Sequence, residues 1–110
     1  MAVAPVGFAA EPLPIESGPH DPLIHPIAPE DGAEAVTNPP SMVFWWSPEA
    51  ASYTVEMAQD ADLADAIVAA KIELPFYNHS EVLQPGTWYW RYCFETEDGR
   101  RSEYSAVRRF

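Results

Sequence analysis

Hydrophobic and polar positions alternate with a period of two across the second half of the chain, and this period predicts its elements. Met42-Val43-Phe44-Trp45-Trp46, closed by Ser47-Pro48, reads as a short strand. Met42, Phe44 and Trp46 share one face of it, and Val43 and Trp45 share the other. Residues 52–59 follow, where Tyr53, Val55 and Met57 alternate with Thr54, Glu56 and Ala58, the pattern of a strand with one buried face. Alanines between Leu63 and Leu74 favour helix intrinsically. The segment is short and flanked by strands, so the reading is a turn at 61–65 and a strand near 67–74. Residues 78–82 form a short edge strand or a loop.

The clearest element begins at Trp88. Trp88, Trp90, Tyr92 and Phe94 fall on one face and Tyr89, Arg91, Cys93 and Glu95 on the other, so the uniformly aromatic face is the expected core face. Pro85-Gly86 before it is a turn signal, because proline presets one central dihedral and glycine supplies the positive one. Asp98-Gly99 after it marks a hairpin, with a returning strand over 104–110. That strand is expected to be cut at Phe110, with the chain continuing in a larger protein. Short strands separated by turn signals, with no long amphipathic helix, predict an all-β sandwich.

The first 35 residues look different. Nine of the twelve prolines lie within the first 40 positions, and none of the six basic residues does. Proline removes a donor and biases its predecessor toward extended backbone. Residues 1–35 therefore read as an extended lead-in or a strap over a neighbour, and residues 36–110 as the foldable sandwich.

The net charge of −11 argues against nucleic acid and against an anionic membrane surface, both of which need a dense basic face. No stretch is apolar enough to span a bilayer, and Met1-Ala2-Val3-Ala4-Pro5 lacks the start of a secretory signal. All six basic residues lie between Lys71 and Arg109, so an acidic partner would meet the C-terminal third, with Arg100-Arg101 and Arg108-Arg109 as its outer points; Arg100 and Arg101 are also expected docking or glycan contacts. The lone Cys93 excludes an internal disulfide and a cysteine-rich zinc site.

Candidate chemistry is sparse. His20-Asp21 and His25 do not have the spacing of a metal site on one helix face. Asp60, Asp62 and Asp65 lack the glycine and the terminal glutamate of a calcium loop. Asn78-His79-Ser80 fits a glycosylation sequon. No nucleophile with a paired base is evident, so neither catalytic residues nor a cofactor are expected. Exposed aromatics stack on sugars, and Trp45, facing away from Trp46, is the expected docking or glycan contact. Phe44, Trp46, Tyr53, Val55 and Trp90 are the expected core.

Leu83-x-Pro85-Gly86-Thr87-x-Tyr89, the strand after it and the Asp-Gly hairpin resemble the corner and last strands of fibronectin type III domains, an immunoglobulin-like fold. That resemblance adds Leu83 and Tyr89 to the core, with Tyr89 pointing inward to close the corner. A bulge after Tyr89 would reconcile this with the aromatic face of Trp88 and Trp90. A wider ordered set is similar to the front domain of bacterial heparinase II/III-like polysaccharide lyases. It comprises Pro29-x-Asp31-Gly32, Asn38-Pro39-Pro40, Phe44-x-Trp46, Tyr53-x-Val55, Asp60-x-x-Leu63, residues 83–91 and Ser102-Glu103-Tyr104-Ser105-x-Val107-Arg108-x-Phe110. Leu63 stands where that pattern has phenylalanine.

The resemblance implies an exported, non-catalytic accessory domain packed against a downstream catalytic toroid. That toroid would cleave uronic-acid-containing glycans by β-elimination. The catalytic residues implied lie outside this chain. The second expectation is a stand-alone carbohydrate- or protein-binding module of an exported or surface protein.

Overall fold

A computed structural model describes residues 13–15, 27–35 and 37–110. The described residues are all-β, with no helix among them. Six strands occur in chain order: β1 (Ser41–Val43), β2 (Ser52–Ala58), β3 (Ile67–Ile72), β4 (Phe76–Asn78), β5 (Tyr89–Glu95) and β6 (Arg108–Arg109). They form an antiparallel pair, β1-β4, and a four-stranded antiparallel sheet of order β3-β2-β5-β6. The two sheets face each other in a sandwich-like arrangement. Phe44, just beyond β1, lies 5.3 Å from the Tyr53 ring and stacks on Tyr92 at 5.2 Å.

β5 organises the core, as its period predicts. Trp88, Trp90, Tyr92 and Phe94 are all buried, and Trp90 and Tyr92 stack at 6.0 Å. β2 pairs with β5 in unbroken register from Ser52↔Glu95 to Ala58↔Tyr89, which puts Tyr53, Val55 and Met57 on the same inner face. That register has no bulge after Tyr89. Tyr89 accordingly faces away from Trp90 and is only half-buried, outside the core cluster, which corrects its expected inward corner role. Leu83 is buried beside the Pro85-Gly86 bend, where Gly86 takes φ 131°.

Two tryptophans exchange the places expected of them. Trp45 is buried and Trp46 is 55% exposed. The β1-β4 ladder ends at Val43↔Phe76 and the Phe44 N–H to Pro75 O bond (3.0 Å). Beyond it nothing enforces alternation. The Trp45 N–H donates to the Tyr92 hydroxyl (3.3 Å) and the Ser47 N–H to the Tyr53 hydroxyl (3.0 Å). These bonds draw the chain inward on both sides of Trp46 and turn that side chain out.

The returning segment also differs from a full strand, since β6 holds only Arg108–Arg109. Before it, two buried serines replace the ladder. Ser102 N–H donates to Phe94 O (2.9 Å) while its hydroxyl accepts from Phe94 N–H (2.8 Å). Ser105 does the same for Tyr92, at 2.8 and 3.0 Å. Each serine satisfies both main-chain groups of one β5 residue, so that edge needs no regular partner strand.

The core reaches back past residue 36. Ile15 and Ile27 belong to it, Ala28 bridges Val43, and the Trp90 indole N–H donates to Pro29 O at 3.2 Å. Described parts of the proline-rich lead-in are therefore fastened to this domain itself.

Candidate functional site

Connections gather at one end of the sandwich. Ser52 pairs with Glu95 and the Ala51 N–H donates to Glu95 O (2.8 Å), which sets the 44–51 connection beside the 96–100 hairpin. β3 ends at Ile72, opposite Tyr53, and the short 73–75 link carries the chain to Phe76, opposite Val43. Trp46, Leu74 and Phe76 all emerge at this end, 55%, 56% and 47% exposed.

Arg100 and Arg101 lie at the same end, where the 96–100 hairpin is tightly tied. The Thr96 hydroxyl donates to the Asp98 carboxylate and accepts from the Arg100 N–H (3.1 Å), and Gly99 supplies φ 86°. The Thr96 hydroxyl bond, above all, holds the Asp98 carboxyl below the usual carboxylate range. Arg100 is exposed, whereas Arg101 pairs with Glu95 at 3.4 Å. The structure thus brings together Arg100, Arg101 and Trp46 at one end, and it removes Trp45 from the candidate surface. Leu74 and Phe76 escaped the sequence reading. The Leu-Pro-Phe break between two strands was the available signal, since proline interrupts a ladder just where two large apolar residues are left uncovered.

On the outer face of the four-stranded sheet, Arg91 donates through Nε to Glu56 Oε1 (2.9 Å) and its guanidinium lies 3.8 Å from the centre of the Tyr104 ring. The Tyr104 hydroxyl donates to Glu56 Oε2 at 3.0 Å. Burial, with the Glu56 bond second, pushes the Tyr104 phenol up. Burial likewise raises the thiol of Cys93, which is fully buried on this face opposite Thr54. A thiol held neutral is a poor nucleophile.

At the far end, a cleft of about 450 Å³ lies between residues 33–35, Thr37, Asn38 and Pro40 on one side and residues 83–88 with Phe110 on the other. Its central amide is occupied: Asn38 accepts from the Leu83 N–H (2.8 Å) and donates to Leu83 O (2.9 Å).

Among the described residues no three His, Cys, Asp or Glu side chains are grouped to hold a metal. Asp62 accepts from the Ala64 N–H (3.4 Å), an ordinary turn contact, and the Asn78 carbonyl accepts from the Ser41 hydroxyl (2.8 Å). His79 shares a 2.8 Å bond with the Tyr77 hydroxyl. His20, Asp21 and His25 lie outside the described residues.

Fold and site define an all-β protein of facing antiparallel sheets with an aromatic and basic loop end. No family model matches the chain, and no curated protein matches it.

Proposed function

We propose that this chain is a fibronectin type III-like, non-catalytic accessory domain of an exported glycan-degrading enzyme of the polysaccharide lyase kind, docked through its loop end onto the catalytic domain. The strand order supports the fold part of this reading. The order β3-β2-β5-β6 is the one a C′-C-F-G sheet would have, and the Ala28 bridge to β1 supports reading β1-β4 as part of an A-B-E sheet. The lyase part rests on the resemblance of the ordered motifs between Pro29 and Phe110.

The observation that carries the docking reading is the exposure of Trp46, Leu74 and Phe76 at one end of the sandwich, while the other exposed large apolar side chains among the described residues, Val68, Val82 and Val107, are all smaller valines. Large apolar side chains exposed at one end mark a candidate contact site, and tryptophan and arginine at that end are residue types enriched in interface hot spots. The experiment joins this chain in trans to the region encoded after Phe110. Trp46→Ser and Leu74→Ser should each weaken that association without unfolding the domain. Association unchanged by both variants refutes the docking surface. Release of unsaturated product from a uronate glycan by this chain alone refutes the accessory role. Glycan retention that Trp46→Ser abolishes, with no helical region encoded downstream, favours the stand-alone binding module instead.

A further inference from the structure

β3 is an end strand of the four-stranded sheet, and no described segment pairs with its outer side. The direction of its free main-chain groups follows from the other side of the sheet. Ser102 and Ser105 bond both main-chain groups of Phe94 and Tyr92, which therefore point away from β2. In an antiparallel ladder their partners Tyr53 and Val55 then point toward β3. Val55 lies opposite Ala69, so Ala69 bonds β2 and Val68 turns its N–H and C=O outward. The same alternation extends the open edge to Ala66 and Ala70.

This edge is complementary to itself. When a second copy runs antiparallel with the two Val68 residues opposite each other, Ala66 of each copy falls opposite Ala70 of the other. All three open residues then form hydrogen-bonded pairs, with about six main-chain bonds in total. The same register sets Asp65 of each copy opposite Lys71 of the other. Both side chains are exposed, and Lys71 is the only basic residue before Arg91. Sliding one copy by two positions sets Asp65 opposite Glu73 in one direction, and Lys71 opposite the buried Leu63 in the other. A slide of one position turns the main-chain groups of one edge away from those of the other. Charge and main-chain direction thus select both the partner and the register. Val68 is 58% exposed and lies opposite Glu56, on the outer face, where the two valines form a cross-strand pair with small alanines to either side.

We propose that the chain forms an isologous dimer by antiparallel pairing of β3 with β3 of a second copy, with Val68 opposite Val68 and Asp65 opposite Lys71. The pairing joins two sheets into one and adds main-chain bonds that neither copy makes alone. The seam is short and holds a single valine pair, so the dimer is a weak association, half-formed on the order of 0.1–1 mM. It uses neither Trp46 nor the arginines of the loop end and is independent of the docking reading.

The test is sedimentation equilibrium of the full chain from about 10 μM to about 1 mM, at about 0.15 M salt. A monomer–dimer equilibrium is expected. Asp65→Lys and Lys71→Asp each set like charges opposite one another at both ends of the seam, and each should weaken the dimer at least about fivefold. Both positions are exposed, so the circular dichroism of the monomer should not change. Asp65→Lys also makes the chain less acidic than its net charge of −11, which taken alone favours association, so a loss reports the local pair. Asp65→Lys chains mixed with Lys71→Asp chains should regain a heterodimer as strong as the original, because the lysines of one then meet the aspartates of the other. Trp46→Ser should leave the dimer unchanged. A chain that stays monomeric to about 1 mM, a dimer that neither charge variant weakens, a mixture that associates no better than its components, or a dimer abolished by Trp46→Ser overturns the proposal.

Discussion

Trp45 and Trp46 are adjacent, chemically identical and placed on opposite sides of the surface, so truncating each in turn measures burial with little else changed. A tryptophan side chain buries on the order of 200 Å² when fully enclosed. At about 25 cal/mol per Å², enclosing Trp45, which is 5% exposed, contributes about 5 kcal/mol as an upper value. Trp46 is 55% exposed, so its covered part contributes about 2 kcal/mol at most. Compactness of the unfolded chain lowers both by roughly 10–40%. Trp45→Ala also leaves a cavity, which places its cost at about 3–5 kcal/mol, while Trp46→Ala should cost about 1 kcal/mol. The difference of about 3 kcal/mol corresponds to roughly 12–24 °C in Tm for a domain of this size. Urea unfolding followed by circular dichroism reads it directly, with an unchanged m-value required of both variants. Equal costs, or a larger cost at Trp46, would refute the inward turn of the chain at Trp45.

Three further outcomes follow from the same geometry. Gly86→Ala forces φ 131° on a residue with a Cβ that would sit 3.1 Å from Gln59 Nε2, and should cost about 1–3 kcal/mol. Gly99→Ala, at φ 86° with open space around it, should cost about 1 kcal/mol, and the reverse ranking in urea would contradict the two turn assignments. Burial raises the Tyr53 phenol and the Cys93 thiol, so their folded pKa values exceed the unfolded ones. Their stabilisation is complete below the unfolded values and is lost as pH rises through the folded ones. The urea midpoint should begin to fall beyond about pH 8.5, and Cys93→Ala should delay the onset; a midpoint that rises with alkali is the opposing result. Glu56→Gln and Tyr104→Phe each remove a bond to one carboxylate, at about 1–2 kcal/mol and about 0.5–1.5 kcal/mol. The double variant should cost less than the sum by at least about 0.5 kcal/mol.

What the sequence made legible is what short-range chemistry determines. The aromatic face of β5 follows from strict alternation, because a paired strand cannot present neighbouring residues to one side. The Pro85-Gly86 and Asp98-Gly99 turns follow from dihedral requirements local to each. The rest depends on partners far along the chain. Trp45 turns inward because of the hydroxyl of Tyr92, and nothing near residue 45 reports it. Ser102 and Ser105 look like polar loop residues until their bonds to Phe94 and Tyr92 are seen. Leu13–Ile15 has the composition of a linker and is seated by residues 101–103. Lys71 reads as an ordinary strand residue. Yet the pairing of β2 with β3 shifts by one between Tyr53 and Val55, and Lys71 takes φ 62° in the extra position. For the site, the basic pair was readable as a charge cluster, whereas the apolar anchors were not, since their exposure depends on where the β1-β4 ladder stops.

Trp46 is held outward rather than left loose, and this bears on how it can act. The main chain on either side of it is tied to the core by tyrosine hydroxyls, through the Trp45 N–H to Tyr92 and the Ser47 N–H to Tyr53. An anchor already fixed before contact loses little freedom on docking, which is the physical meaning of preorganisation. Tyr53→Phe isolates this effect, because it keeps the buried ring and removes only the hydroxyl that accepts from Ser47. Its cost in stability should be about 1–3 kcal/mol, from the Ser47 N–H left without a partner in a buried place. Its local signature should be larger than that cost suggests. Backbone order at Trp46, near about 0.85 in NMR relaxation for a rigid segment, should drop toward about 0.6, while Trp90 in β5 stays rigid. If Trp46 keeps its order in the Tyr53→Phe chain, the hydroxyl ties do not set its direction, and its exposure loses its standing as a prepared contact.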